Sequence, residues 1–391
     1  MKIFNRDGIK YFYAGLLMAA SLIMGNGCKS QPEENGIADD LDSLLTEMFP
    51  ADGPAAVAAV SIDDSIVYLR AFGLADIPTG RPATDTTQFN ICSISKQFSA
   101  VALLKLQEQG LLSLDDSVAR FFPEFPGVFF RNITLRQLLS HTSGLPDIRP
   151  RTPQEWEAYA SENAHRRFAN VEDYKHFSSE PDILDMFKLV EGTVFEPGTA
   201  YDYQNPTFQL VYYIVERLTG EPFEQWMARN IFQPAGMSHT VYFSPERELA
   251  AAAHGYEATG AGWRECDYGE ANFFPTAADG GIYTTAADFM AWQRALYSDS
   301  LMSSASRGQA HTPLIATDLP DTSYGLGFFI EDLPDRPRKI YHTGDNGGFF
   351  TYAAAVPERR VSYLVFAARQ GWDRLATAAR IDSILTAHNA L

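Results

Sequence analysis

Hydrophobic and polar positions divide the chain into β-rich ends and a helical middle. Near the start, Ile37, Leu41, Leu44, Leu45 and Met48 recur at helical spacing and stop before Pro50, which predicts an amphipathic first helix. Residues 55–62 and 66–72 are rich in β-formers and are separated by Asp63-Asp64-Ser65, a hairpin signal. After a loop-like stretch, residues 98–106 carry apolar side chains on every side until Gly110 ends the run. A helix without a polar face has to be central and buried. Thr134 is placed to cap a short helix over 135–139. Phe208, Val211, Tyr212, Val215 and Leu218 share one face of a helix that ends before Gly220, another helix starts at Pro222, and Thr285 with Asp288 marks a further helix start. The last third turns β again: 324–331, 339–342, 349–356 and 361–367 read as strands, with a turn at Pro357-Glu358-Arg359-Arg360. Leu375, Ile381, Ile384 and Leu385 line one side of a closing helix. Strands at both ends predict an α+β fold, an antiparallel sheet built from both chain ends with flanking helices and a mainly helical region, roughly 111–322, inserted between them.

At 391 residues, 46% of them hydrophobic, the chain has material for a large core. Its formal charge of -18 is spread along its length, which excludes a nucleic-acid partner. Lys2, Arg6 and Lys10 precede an apolar run over 11–24 that is too short and too early for a membrane span, so 1–27 reads as a signal peptide. Gly25-Asn26-Gly27-Cys28 resembles a bacterial lipoprotein processing site with Cys28 as the lipidated residue, although Gly25 stands where a Leu-like residue is usual; ordinary signal cleavage is the alternative. Residues 28–36 are polar and read as a flexible tether to a body spanning 37–391. Cys92 and Cys266 could pair, but Cys92 in its apolar context reads as a small buried residue. No Cys/His spacing suggests a metal.

The candidate chemistry begins at the mouth of the central helix. Ser93 and Lys96 are three residues apart, so one helical turn sets hydroxyl and ammonium on the same side. A lysine so placed can take the serine proton or orient the group that does, and the helix N-terminus favours developing negative charge. Alone, Ser-x-x-Lys arises often by chance, and its plain alternative is a capping serine followed by a solvated lysine. Here it is followed in order by Tyr203-x-Asn205 and His342-Thr343-Gly344. Between them stand Leu138-Leu139-Ser140-His141-Thr142-Ser143-Gly144-Leu145, Glu196-Pro197-Gly198-Thr199, Gly280-Gly281 and Tyr324-Gly325-Leu326-Gly327.

This ordered set resembles the serine β-lactamase and penicillin-binding-protein superfamily, in its class C-like branch of D-alanyl-D-alanine carboxypeptidase and esterase relatives. The resemblance covers the chain from about Ile37 to its end and implies a β-lactamase/transpeptidase-like fold. It implies Ser93 as acylated nucleophile, Lys96 as the group holding a neighbouring hydroxyl ready for proton transfer, and Tyr203 as partner base with its phenol pKa pulled down by nearby ammonium. Asn205 would bind substrate amide or Lys96; its alternative is a plain N-cap before Pro206. His342-Thr343-Gly344 would form the edge strand for substrate, with Gly344 allowing close approach and the backbone N–H groups of Asp345 and Ser93 forming an oxyanion hole. Lysine is usual at the first of these positions in true β-lactamases. His342 would be only partly charged at neutral pH and a weaker anchor for a carboxylate. His141 reads as a structural histidine. The implied activity is that of an exported, lipid-anchored serine hydrolase without metal or organic cofactor. It would act on a D-amino-acid peptide of the cell wall, a small ester or, weakly, a β-lactam. The competing reading is a penicillin-recognising or wall-binding lipoprotein with decayed chemistry. The charged, aliphatic-poor stretch 149–180 suggests exposed helices or a lid.

Overall fold

The computed structural model describes residues 34–148, 180–243, 249–266 and 277–391. The expected signal peptide 1–27, the lipidation site Cys28 and nearly all of the charged stretch 149–180 lie outside the described residues. Among the described residues, no helix is long and apolar enough to cross a membrane.

Helix α1 (Glu34–Met48) buries Ile37, Leu41, Leu44 and Leu45. It begins three residues before the hydrophobic pattern does, so the end of the expected 28–36 tether is helical. The first turn of a helix needs no apolar residue, and hydrophobic spacing is blind to it. Strands β1 (Ala56–Ile62) and β2 (Ser65–Phe72) form the expected hairpin. Asp63 and Asp64 turn it with φ of +50° and +66°, the positive values of the turns that match strand twist. The other strands of this sheet come from the last quarter of the chain: β3 (Ile315–Ala316), β4 (Thr322–Tyr324), β5 (Phe329–Glu331), β6 (Lys339–Asn346), β7 (Phe349–Val356) and β8 (Val361–Ala367). The eight run in the order β3-β4-β5-β6-β7-β8-β1-β2, every pairing antiparallel. Ala59 faces Leu364 across the β1–β8 ladder, which joins the two ends of the chain.

Two details differ from the hydrophobic pattern. The single strand expected over 324–331 is two, because Gly327 adopts φ +79° and its backbone lies so close to helix α2 (Ser95–Glu108) that a Cβ there would stand 2.8 Å from the Lys96 carbonyl oxygen. The strand at Lys339 runs on to Asn346, four residues beyond the expected 339–342, because Gly344 and Asp345 pair with Thr351 and Phe350 of β7.

Side chains alternate across the sheet, as the pleat requires. Ala56, Ala58, Val60, Tyr352 and Val365 pack toward α1 and the final helix α6 (Arg374–Ala387), which buries Ile381 and Leu385 but leaves Leu375 exposed. On this face Phe329, Tyr341, Tyr352 and Tyr363 stack in succession, and Tyr363 donates to Asp382 of α6 at 2.6 Å. The opposite face, including Val57, Ala59, Ala353, Leu364 and Phe366, packs on the helical body. Helix α2 runs through that body, buried along almost its whole length. Its Phe98 stacks on Trp292 at 3.9 Å; removing such a ring from water contributes about 2 kcal/mol. Helices α3 (Leu135–Leu139), α4 (Asn205–Thr219) and α5 (Ala286–Leu296) complete the body. Thr134 caps α3 in a reciprocal capping box with Gln137, and Thr285 caps α5.

Candidate active site

The site grows from the turn ahead of α2. The short strand Phe89–Asn90 pairs with Ile282–Thr284, and the Ile91 N–H donates to the Ile282 carbonyl at 3.0 Å. Asn90 Oδ1 accepts from the Cys92 N–H at 2.7 Å, which turns the chain, and Cys92 takes φ +52°. That left-handed conformation costs a non-glycine residue about 1–2 kcal/mol. The surroundings hold it. Cys92 Sγ donates toward the Phe349 carbonyl at 3.6 Å, and Thr351 Oγ1 donates to the Ile91 carbonyl at 3.0 Å. Cys92 and Cys266 are both buried. The turn delivers Ser93, half-buried, in a single 3₁₀ turn (Cys92–Ile94) that leads into α2.

Lys96 lies in the first turn of α2 and is fully buried. Its Nζ donates to Ser93 Oγ at 3.1 Å, Asn205 Oδ1 at 2.6 Å and the Asp279 carbonyl oxygen at 2.9 Å. The Asp279 carboxylate stands 3.9 Å from it. A buried ammonium without such partners would be expensive. Three acceptors match the three protons that an ammonium offers. Asn205 is the first residue of α4, and the cap position belongs to Gln204, whose side chain makes no capping bond. The asparagine side chain thus reaches Lys96 instead of the helix end. Asp279, 5% exposed, was not singled out as a site residue in the sequence; it accepts from Gln209 Nε2 of α4. Its only sequence mark is its place before Gly280-Gly281.

Tyr203 sets its ring 5.0 Å from Lys96 Nζ, within cation–π range. Tyr201, the neighbouring tyrosine, packs on His141 and Tyr324, and burial pushes its pKa up. His141 is 1% exposed and lies with its ring centroid 4.1 Å from that of Tyr203.

On β6, His342 is buried and fully bonded. Its Nδ1–H donates to the Thr343 carbonyl at 2.6 Å, and its Nε2 accepts from the Tyr324 hydroxyl at 2.9 Å. Burial, helped by the Lys96 ammonium, pushes its pKa down to about 3. The expectation of a partly charged histidine is therefore overturned: the ring is neutral throughout the physiological range. Thr343 is half-buried and Asp345 exposed. Gly344 is closely approached from within the protein itself. A Cβ built on it collides with Thr351 Oγ1 and the Ile91 carbonyl oxygen and comes within 2.9 Å of Cys92 Cβ. What approaches Gly344 closely is the protein's own Ile91-Cys92 turn, and this contact sets the Gly344-Asp345 backbone beside the turn that carries Ser93. Arg374, the first residue of α6, donates to the Gly344 carbonyl and lies 3.7 Å from the Asp345 carboxylate. Nothing in the local sequence marks it for this contact.

Seven of the expected residues thus lie around one point: Ser93 in the 3₁₀ turn, Lys96 on α2, Tyr203 just ahead of α4, Asn205 at its start, and His342, Gly344 and Asp345 on β6. A cavity of about 440 Å³ lined by Arg294, Arg307 and Arg360 shares no residue with this cluster. Among the described residues, no group of His, Cys, Asp and Glu side chains could hold a metal.

A family model described as Beta-lactamase matches residues 45–386. D-alanyl-D-alanine-carboxypeptidase/endopeptidase AmpH of Escherichia coli (strain K12) is 26% identical over 377 residues, 91% of this chain and 90% of that protein. A D-aminopeptidase of Cereibacter sphaeroides is 32% identical over 341 residues, 83% of this chain and 60% of that protein. The chain spans less than two thirds of the length of this and another curated relative. The crystal structure of a penicillin-binding protein from Bacillus halodurans superimposes with a TM-score of 0.71 at 26% identity, covering 89% of this chain and 99% of that one.

Proposed function

The chain belongs to the beta-lactamase family of serine hydrolases, and we propose that it cleaves an ester or amide through an acyl-Ser93 intermediate. The observation that carries this reading is the Lys96 Nζ, buried and 3.1 Å from Ser93 Oγ. In the proposed reaction Tyr203, as phenolate, takes the hydroxyl proton while Ser93 Oγ bonds to the substrate carbonyl carbon. The oxyanion is met by the backbone N–H groups of Ser93 and Asp345. Tyr203 then gives its proton to the leaving amine or alkoxide as the C–N or C–O bond breaks. Water, deprotonated in the same way, hydrolyses the acyl-enzyme. Asn205 holds Lys96, and the stretch of β6 from His342 to Asp345, past the end of its pairing with β5 at Tyr341, is the open edge along which the substrate lies.

The neutral His342 bears on substrate class. It offers no positive charge to grip a carboxylate at the strand edge, which favours amides, small esters and D-amino-acid substrates not anchored by a C-terminal carboxylate over β-lactams. A relative described as a D-aminopeptidase accords with that choice. The reading of a decayed binding protein is disfavoured by Ser93, Lys96 and Tyr203 standing together.

The test is intact-protein mass spectrometry after exposure to a chromogenic ester and, separately, to a penicillin, with Ser93→Ala as control. The expected result is a transient acyl mass on the wild type from the ester and little from the penicillin. No adduct and no turnover with either reagent would sink the proposal.

We propose also that the enzyme is exported and held on a membrane by lipidated Cys28, with cell-wall peptide within its reach. This rests on the N-terminal pattern alone. Labelled palmitate should tag the wild type and spare Cys28→Ala; equal tagging of both removes the anchor.

A further inference from the structure

His141 belongs to no step of the proposed reaction, yet the chain maintains it under unfavourable terms. Its backbone has φ +57°, a left-handed value that costs a side-chain-bearing residue free energy. Its ring is buried, and its Nε2 has no hydrogen-bond partner among the described residues. The tautomer follows from its neighbour: the Gln204 N–H donates into Nδ1 at 3.0 Å, so Nδ1 carries the lone pair and the ring proton sits on the unpartnered Nε2. A buried N–H without an acceptor is a further penalty. Simple space-filling between Phe208 and Tyr324 would be met more cheaply by an apolar side chain.

The hydrogen bonds it accepts in return flank one residue. The Asp202 N–H donates to the His141 carbonyl oxygen at 3.0 Å, and the Gln204 N–H donates to His141 Nδ1. The two backbone amides that flank Tyr203 are therefore both held by His141, one by its main chain and one by its ring. The same ring lies against the Tyr203 ring at 4.1 Å and 36°. Serine and threonine on either side, Ser140 and Thr142, bond to each other at 2.9 Å and tie off the turn. Resting on the reading of Tyr203 as the base, we propose that His141 is a positioning residue that clamps the 202–204 backbone from both sides and fixes the Tyr203 ring against Lys96.

The clamp works with a neutral imidazole only, since a proton on Nδ1 would face the Gln204 N–H. The charged and titratable groups around the ring are Lys96, His342, Tyr201, Tyr203 and Tyr324. Burial and the Lys96 ammonium hold the ring neutral.

The experiment compares His141→Gly and His141→Asn in the full chain, using turnover of a p-nitrophenyl ester across pH, each variant assayed below its own melting temperature. Glycine accepts the left-handed backbone but has neither acceptor nor ring. Asparagine tolerates the backbone and places Oδ1 where Nδ1 stands. Glycine is expected to lower kcat by about 10–100-fold with KM within about 2-fold, the scale of a displaced catalytic group. It should also move the pH limb of kcat that belongs to the Tyr203–Lys96 pair. Asparagine is expected to recover most of kcat and the wild-type limb. Full kcat in the glycine variant overturns the proposal. So does an equal loss in both variants with an unmoved limb, which is what a general packing defect would give. Should the glycine variant not fold, a shifted limb in a folded asparagine variant overturns it and an unmoved one supports it. Ser93→Ala and Tyr203→Phe run alongside: if they keep wild-type turnover, the reading of the site fails, whereas loss in them with an active glycine variant refutes the clamp alone.

Discussion

Replacing Gly344 by alanine tests whether the contact between β6 and the nucleophile turn sets the reaction geometry. The added Cβ would overlap Thr351 Oγ1 and the Ile91 carbonyl oxygen and stand 2.9 Å from Cys92 Cβ, where ordinary contact begins at 3.4 Å. Two of these three neighbours belong to the turn that carries Ser93, and the third is tied to it by the Thr351–Ile91 hydrogen bond. None is the free end of a flexible side chain, so the strand must retreat, by about 1 Å given how little a packed interior yields. A displacement of that size between nucleophile and oxyanion donors costs up to about 100-fold in kcat/KM, equivalent to about 2.7 kcal/mol of transition-state stabilisation. Overpacking should lower stability by about 1–3 kcal/mol as well, and urea denaturation reports that separately. Adding Thr351→Ala removes one clash but leaves the Ile91 carbonyl in place, so the double variant should recover only part of the activity. If folded Gly344→Ala kept kcat/KM within about 3-fold of wild type, a span too small for a 1 Å displacement, the strand would not be setting the site as reasoned.

Asn205→Ala leaves one proton of the buried Lys96 ammonium without its acceptor. It should cost about 1–3 kcal/mol in stability and slow single-turnover acylation; unchanged values for both would remove Asn205 from the Lys96 shell. Stability should also respond to acid through the buried histidines. His141 and His342 are held neutral in the fold, His342 with its pKa pushed down to about 3, whereas the unfolded chain protonates both near pH 6.5. The unfolded state therefore binds more protons below that value. The stability His342 contributes is fully present above about pH 6.5 and is lost as pH falls toward 3, by up to about 1.4 kcal/mol per pH unit, and His141 contributes in the same direction. Urea midpoints at pH 7, 6 and 5 measure the slope, and His342→Gln should make it shallower; an equal slope in the variant refutes a neutral His342.

Much of the scaffold was legible because its signals are local. The Asp63-Asp64 hairpin, the all-round apolar run of α2, the Thr134 and Thr285 caps and three of the late strands each depend on residues a few positions apart. The spacing of Ser93 and Lys96 is also local, and it survives although a 3₁₀ turn stands where a regular helix start was expected. Three features were not legible. The Gly327 break follows from its approach to the Lys96 backbone, a contact between residues far apart in sequence. The neutral state of His342 follows from burial and from the ammonium of Lys96, far away in sequence. Asp279 and Arg374 enter the site from a single short helical turn (Ala277–Gly280) and from the end of a helix, with no periodicity or motif of their own. Membership of an ordered motif set brought out Tyr203 and His342; it could not foretell charge states, which depend on what encloses each group.

The enclosure of Lys96 bears on the order of proton transfer in the proposed reaction. Two of its three partners, Asn205 Oδ1 and the Asp279 carbonyl, can only accept, so two N–H bonds are committed to them. The third position faces Ser93 Oγ, which can either accept or donate. A neutral amine would take the serine proton there, and an ammonium would instead stabilise the alkoxide. The Asp279 carboxylate 3.9 Å away, itself bonded by Gln209, stabilises positive charge at that spot. In the proposed reaction the resting arrangement is then an ammonium that directs a proton at Ser93 Oγ and does not also act as base, and the serine proton leaves toward Tyr203. Asp279→Asn weakens that bias. It shifts the balance toward the amine and makes Tyr203→Phe less damaging than in the wild-type background, an interaction between two substitutions that independent roles for Asp279 and Tyr203 would not produce.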